Sequence, residues 1–445
     1  MKIYRIIAGI ALLAMVSSCS LYNKYQRPTE LQTDNLYGDA VEENGEETFA
    51  TLSWRELYTD PCLQALIDKA LANNTGVKVQ QWAVESAKAS LTAGKLGFLP
   101  SLNLNPEIGY TTGSAGSSWG YKIPLALTWE IDIFGSKLSQ KRMAGASYQA
   151  QLDLQQAVKS RLIATVASKY YQLIAYDQIR KVIIDAIAVW NNMITSSEAL
   201  MENGYADAIA VSQFKGQSYD FQANLHSVDE LIAQGEIELC ALLCEPPHSI
   251  ERSNLIECPS PQVLKTGLSS QLLANRPDVR QAESELAYFY HDKQHALSNY
   301  FPKFTISAEA AFNGQFIATF LGSLLQPIFA QGKIAAEHKA AKARYEQAKL
   351  NFQQKLIDAS DEVVLALNQC TRAGENFHLR TLQVAEYEKA VEFSRTLMFN
   401  GERTYLDVLI AETNLIDKQQ TLINDRLDEM LGIVNLYLAL GGGHE

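Results

Sequence analysis

Few residues in this chain are placed to do chemistry. The run Gly401-Glu402-Arg403-Thr404-Tyr405-Leu406-Asp407 sets a carboxylate four residues after an arginine, directly behind Asn400-Gly401. An Asn-Gly pair takes the left-handed backbone that ends a helix, so both charges fall where a new helical segment begins. Leu200-Met201-Glu202-Asn203-Gly204 makes the same turn 197 residues earlier. We read the two turns as the mouth of a tube that Asp407 helps to close. Cys240, Cys244 and His248, with Cys258 beyond, recur at steps that could suit a metal, but Pro246 and Pro247 break the helix before His248 and spoil a common face. These cysteines read as small buried apolar residues, and no metal or other cofactor is expected. The seven histidines are scattered, the paired acids sit on helical segments, and no nucleophile motif, phosphate loop or metalloprotease signature is present, so no catalysis is expected.

The amino terminus carries one more reactive residue. Lys2 and Arg5 precede an apolar core from Ile6 to Val16, and Val16-Ser17-Ser18-Cys19 follows. This is the layout of an export signal, too short in its apolar core to span a bilayer. The small-residue run ending in cysteine resembles the lipobox of bacterial lipoproteins, which implies a signal peptide over 1–18 and a covalent lipid on Cys19. Losing Lys2 and Arg5 with the leader takes the formal net charge from -12 to -14, unpromising for a nucleic-acid binder. The remaining cysteines, Cys62, Cys240, Cys244, Cys258 and Cys370, are odd in number and scattered, so they are no disulfide framework, although a single bridge such as Cys244 to Cys258 stays open.

The elements that must position these residues are long helices. All twelve prolines lie outside residues 125–245 and 328–445, and proline is the residue a helix interior excludes most strongly. Each window is predicted to hold two helices folded about its Asn-Gly turn, with a longer arm (Ser136 to Leu200, or Gly332 to Asn400) of about 95 to 105 Å at 1.5 Å per residue. A shorter helix is predicted around Pro61 to Leu96, with Asp60 as N-cap and Pro61 in its first turn. No window outside the leader holds about 20 apolar residues, so any membrane crossing falls to strands.

Strands are present. Tyr121, Ile123, Leu125, Leu127, Trp129, Ile131 and Ile133 alternate with Lys122, Thr128, Glu130 and Asp132, which is one greasy and one wet face. Ser101 to Thr111 alternates likewise, and the Gly/Ser-rich Thr112 to Gly120 joins the two as a hairpin of membrane-spanning length. Phe304, Ile306, Ala308, Ala310 and Phe312 form a third strand that turns at Asn313-Gly314, and a fourth from Gln315 to Phe329 alternates poorly.

The halves repeat. Leu71-Ala72-Asn73 and Val77-Lys78 line up with Leu273-Ala274-Asn275 and Val279-Arg280, 202 residues on, and Pro100 lines up with Pro302 at the same offset. The predicted organisation is a leader over 1–18, an extended acidic tether over 19–52 and a first repeat over 53–243, with its hairpin at 101–133 and long helices at 136–243. A proline-rich linker at 244–268 follows, then a second repeat over 269–440, with its hairpin at 303–330 and long helices at 332–440, and a tail at 441–445. The last helix carries a seam of ten positions spaced 3,4,3,4 from Leu406 to Tyr437, and a second stripe at Val408, Leu415, Leu422 and Leu436. Two seams on one helix imply neighbours on both sides.

With repeat, strands and helices in place, the chain resembles the TolC family of outer-membrane efflux factors, and within it the lipoprotein branch that serves resistance-nodulation-division pumps. The most specific piece is Arg276-Pro277-Asp278-Val279-Arg280-Gln281-Ala282-Glu283, supported by Asp132-Ile133-Phe134-Gly135, Pro327-Ile328-Phe329 and Ala343-Arg344-Tyr345-Glu346-Gln347-Ala348. The resemblance implies a mainly α fold with a membrane β-barrel: a homotrimer whose long antiparallel coiled-coil helices form a periplasmic tunnel, each chain giving four strands to one shared 12-stranded barrel. It implies an outer-membrane location, a periplasmic adaptor and an inner-membrane pump as partners, and passive export of small molecules such as drugs or toxic compounds. Asp407 falls on a gate carboxylate of the family. The first repeat departs from the pattern, with Ala210 at the equivalent position and Asp207 one turn nearer the tip, and Ile410 stands where some relatives hold a second acid. Closure is therefore expected to rest on Asp407, Arg403 and Asp207. The rival readings are a protein-secretion duct and, in another class, a soluble periplasmic coiled-coil adaptor, which leaves the alternating hairpins unexplained. Seven methionines without a cluster give no ground for choosing metal over drug cargo.

Overall fold

The computed structural model describes residues 23–28, 52–113, 116–202, 208–253, 275–312, 315–328 and 330–443. Cys19, Asn203, Gly204, Asp207, Cys258 and most of the proline-rich linker lie outside them. In chain order the elements are α1 (Trp54–Leu57), α2 (Pro61–Asn73), α3 (Thr75–Leu96), β1 (Ser101–Leu104), β2 (Glu107–Gly113), β3 (Gly116–Ile131), α4 (Ser136–Glu202), α5 (Ala208–Leu243), α6 (Pro277–Ser298), β4 (Lys303–Phe312), β5 (Phe316–Leu325), α7 (Lys333–Phe399) and α8 (Tyr405–Ala439). The chain divides into two compact units that cut across the sequence repeat, and each takes part of both halves.

The first unit comprises residues 1–32, 80–155 and 278–356 and contains the sheet. Its antiparallel strands run in the order β1-β3-β4-β5, with β2 also paired to β3. The single strand expected from Ser101 to Thr111 is two pieces, β1 and β2, broken at Asn105-Pro106. Pro106 has no amide hydrogen to give the ladder, and Asn105 N–H reaches Pro124 O at 3.3 Å to bridge the gap. β3 begins at Gly116, five residues before the alternation became visible, and β5 is shorter than the expected Gln315 to Phe329.

The register sorts the side chains. Leu125 pairs with Ala310 and Leu127 with Ala308, while Ala308 pairs with Phe320 and Ile306 with Gly322. One face therefore carries Tyr121, Ile123, Leu125, Leu127 and Trp129 beside Phe304, Ile306 and Phe312, then Phe316, Phe320 and Leu324. The other carries Lys122, Thr128, Glu130, Thr305, Ser307 and Glu309, with Lys122 Nζ 2.6 Å from a Glu309 oxygen. β5 departs from this division. Ile317, Leu321 and Leu325 put apolar side chains on the second face too, and both its faces are exposed. That is why its alternation was weak in the sequence.

The second unit comprises residues 33–79, 156–277 and 357–445 and is helical in its described part. Its largest fully buried side chain after Trp54 is Trp190, stacked on Phe221 at 6.4 Å and tilted against Phe214 at 5.9 Å, with Ile183, Ala210 and Ile416 around it. α8 packs through its predicted seam: Ile416, Leu427, Met430, Val434 and Tyr437 are buried. Val408 and Leu436 of the second stripe are also buried, as a helix with neighbours on both sides requires. Gly432 lets α8 approach α7 closely, since a side-chain carbon there would stand 3.0 Å from Cys370 Cα. The helix expected over Pro61 to Leu96 is α2 and α3, parted at Asn74. Asn74 caps the second of them through Gly76 N–H at 2.8 Å and gives its side-chain amide to Leu242 O. Asp60 accepts from Cys62 N–H at 2.9 Å, and Pro61 opens α2.

Candidate functional site: an open sheet and a charged helix entry

The chemistry of this chain lies in two arrangements. One is the sheet, whose apolar face is uncovered: Ile108, Trp119, Phe316 and Phe320 are each at least 75% exposed. Exposed aromatic and aliphatic surface on this scale is a contact surface for lipid or for another chain. Tryptophans mark its two ends, with Trp119 beside Tyr110 (ring centroids 5.0 Å apart) and Trp129 giving its indole N–H to Phe98 O at 2.9 Å. From Trp119 to Trp129 the strand advances about 34 Å at ~3.4 Å per residue, or about 26 Å of depth at a ~40° tilt, matching the roughly 25 Å apolar band of outer-membrane barrels. Both sheet edges, β1 with β2 on one side and β5 on the other, lack a further strand partner among the described residues. In the same residues no helix is long and apolar enough to cross a membrane.

The other arrangement is the start of α8. Gly401 takes φ +76 and ends α7, so the second predicted Asn-Gly turn is in place. Asp407, in the first turn of α8, accepts from Thr404 Oγ1–H at 2.9 Å and Thr404 N–H at 3.0 Å, and Arg403 stands 3.9 Å away. These donors, the Thr404 hydroxyl first, hold its carboxyl below the usual aspartate range, so the group is ionised at neutral pH. Asp407 thus has a local task, fixing the helix start, as well as a negative charge at an exposed position. Ala210 is buried, and Ile410 is exposed.

Sequence reasoning missed a carboxylate five residues further on. Glu412 is 3% exposed and is met by the Arg395 guanidinium from α7. Burial pushes its carboxyl above the ordinary glutamate range, and Arg395 only partly offsets this. The pair lies in a groove of about 610 Å³ lined by Val182, Ala186, Val391 and Leu415 together with Glu388 and Glu392. The signal was available: Glu412 lies between the two stripes of α8, where both neighbours cover it.

The motif from Arg276 to Glu283 is structural throughout. Arg276, 4% exposed, donates to Ala439 O at 2.9 Å and Ala359 O at 3.3 Å and pairs with Glu362 at 2.6 Å, tying the end of α8 to α7. Pro277 opens α6, Asp278 pairs with Lys355 at 2.7 Å, Arg280 binds the buried Asp153 at 3.0 Å, and Glu283 takes Arg27 in a two-pronged pair. One expectation is corrected. Cys240 is buried as predicted, but Cys244 is exposed, because α5 ends at Leu243 and Cys244 takes φ 58, swinging its thiol out to Thr75 Oγ1 at 3.4 Å. His248 folds back so that Nδ1 lies 3.4 Å from Cys240 Sγ and 3.0 Å from Pro246 O.

Known proteins resemble this chain over nearly its whole length. The chain is 26% identical to the probable outer membrane lipoprotein SilC of Salmonella typhimurium, over 98% of each chain. It is 27% identical to the toluene efflux pump outer membrane protein TtgI of Pseudomonas putida, over 97% of each. Its fold superposes on the solved structure of CusC with a TM-score of 0.84 at 24% identity, covering 95% of this chain and 99% of that one. The sequence profile of the outer membrane efflux proteins matches residues 66–245 and 268–442, so the chain belongs to that family of outer-membrane channels.

Proposed function

We propose that three copies of this chain close one 12-stranded barrel and act as the passive exit duct of a tripartite pump, tethered to the outer membrane by a lipid on Cys19. The observation that carries this reading is the open sheet. Four strand positions with one apolar exposed face and two unpaired edges cannot lie in lipid alone, because each unpaired backbone group in hydrocarbon costs several kcal/mol. A periplasmic adaptor and an inner-membrane pump of the resistance-nodulation-division type supply the energy, and this chain holds shut and then dilates. Asp407, with Arg403 and Asp207, forms the closing contacts at the turns marked by Asn203-Gly204 and Asn400-Gly401, where threefold symmetry gathers three carboxylates. The lowered pKa of Asp407 supports such a ring by favouring the charged form of its carboxyl. The relatives named for toluene efflux and, in Escherichia coli, for cation efflux bracket the cargo as small toxic solutes. Conductance across planar bilayers tests the gate: Asp407→Ala is expected to weaken block by divalent cations, and unchanged block would count against the ring.

A further inference from the structure

Every charged residue of the sheet is on one side of it. The five strands hold five of them, Glu107, Lys122, Glu130, Lys303 and Glu309. In register Glu107 faces Lys122, Glu309 faces Ala126 and Glu130 faces Thr305, so all five share the face opposite Tyr121, Leu125 and Trp129. Two of them stand at the strand ends nearest the helices: Glu130, 3.3 Å from Lys137 of α4, and Lys303, the first residue of β4. The other three stand together. Lys122 Nζ is 2.6 Å from Glu309 Oε1, and Lys122 lies directly across the ladder from Glu107, at the ~5 Å Cβ spacing of cross-strand neighbours. Two carboxylates and one ammonium sum to -1. The Lys122 and Glu309 side chains are 43% and 41% exposed, so that charge faces open space.

In a barrel closed by three copies, that open space is the lumen, and the inference rests on this reading. Lys122 is three residues from Trp119 and seven from Trp129. At ~3.4 Å per residue and a ~40° tilt, the triad lies about 8 Å inside the Trp119 end and about 18 Å from the Trp129 end. α4 starts just after β3 passes Trp129, so the triad is toward the outer mouth. Twelve strands spaced ~4.8 Å apart at the same tilt make a backbone cylinder about 24 Å across. An ion on its axis is then about 12 Å from the backbone and nearer to the charged side-chain ends. That is about one Debye length in 0.1 M salt (~10 Å) and several in 1 M salt (~3 Å). We propose that Glu107, Lys122 and Glu309 of three copies form a ring of formal charge -3, three times -1, that makes the outer mouth prefer cations to anions. Lys122 sets the strength of that preference by cancelling one carboxylate of each pair. The ring acts separately from Asp407, which belongs to the gate.

The test is the reversal potential of the full-length protein in planar bilayers under a KCl gradient near about 0.1 M, and again near about 1 M. Asp407→Ala is present throughout, so that the gate carboxylates do not contribute. At the lower salt, the cation-to-anion permeability ratio should fall by about twofold or more in Glu107→Gln, whose ring is neutral. It should rise by about as much in Lys122→Gln, whose ring carries three times -2. The swap of Lys122→Glu with Glu309→Lys keeps the ring at three times -1 and should keep the ratio of its parent. At the higher salt all the ratios should converge. Conducting channels whose ratio at low salt ignores both single variants, or a swap that loses the preference while Glu107→Gln retains it, would overturn the ring and leave the duct standing. A protein that forms no conducting channel contradicts the duct itself, and the ring with it.

Discussion

Arg395 reaches across from α7 to close on the carboxylate of Glu412, which is almost wholly enclosed on α8, while its own side chain stays 38% exposed. The asymmetry decides which partner matters more. Arg395→Ala strands a buried charge, whereas Glu412→Ala leaves an arginine that water can reach. The first should destabilise toward the lower end of the ~3–5 kcal/mol typical of a broken buried pair, the second distinctly less, and the double variant less than their sum. Thermal unfolding in detergent gives all three.

The same pair sets a pH dependence. Because burial raises the folded-state pKa of Glu412, the native state holds the proton more tightly than the unfolded chain does. Its contribution to stability is complete below the unfolded value near ~4.5 and is lost as pH rises through the folded value. Asp407 runs the other way: its lowered pKa contributes stability above ~3.8 that is lost as pH falls through the folded value. Glu412→Gln should therefore flatten the fall in stability just above pH ~4.5, and Asp407→Asn should flatten the loss in acid below ~3.8.

At the start of α8, Asp407→Ala removes the acceptor for two Thr404 donors. Amides 405–408 should exchange faster, with the rest of α8 unaffected. Asp407→Glu, whose longer side chain keeps the charge, should preserve cation block while losing part of that protection.

Arg276→Lys keeps the charge but not the planar fork that serves Ala439 O, Ala359 O and Glu362 together. A loss of about 2–3 kcal/mol is expected from the buried acceptors left unmet. It should appear as a lower unfolding midpoint with conductance unchanged in the assembled channels.

Much of this was legible in the sequence because it is periodic. The alternation around Trp129 and Leu125 fixed β3, the 3,4 spacing fixed the seam of α8, and the absence of proline marked both 67-residue helices. What stayed hidden depends on single residues or on distance. Asn74 breaks a helical pattern by capping the next helix, and Pro106 divides a strand without disturbing its alternation. Arg27 and Glu283 are 256 positions apart, so nothing local connects them. Glu412 was passed over because a charge on a helix normally faces water, and only the two stripes together show that it does not.

The sheet gives the sharpest contrast, since Phe320 and Leu321 are neighbours in β5 on opposite faces. A lysine on a lipid face near mid-membrane costs roughly 2–4 kcal/mol, and a lysine facing a water-filled lumen costs far less. The most direct measurement is the native mass of the detergent-extracted protein carrying Phe320→Lys or Leu321→Lys, beside the unaltered chain. A three-chain complex is predicted for the unaltered chain and for Leu321→Lys, with loss of that complex for Phe320→Lys. A single-chain species for the unaltered protein, or equal tolerance of both lysines, would contradict a barrel closed by three copies in lipid.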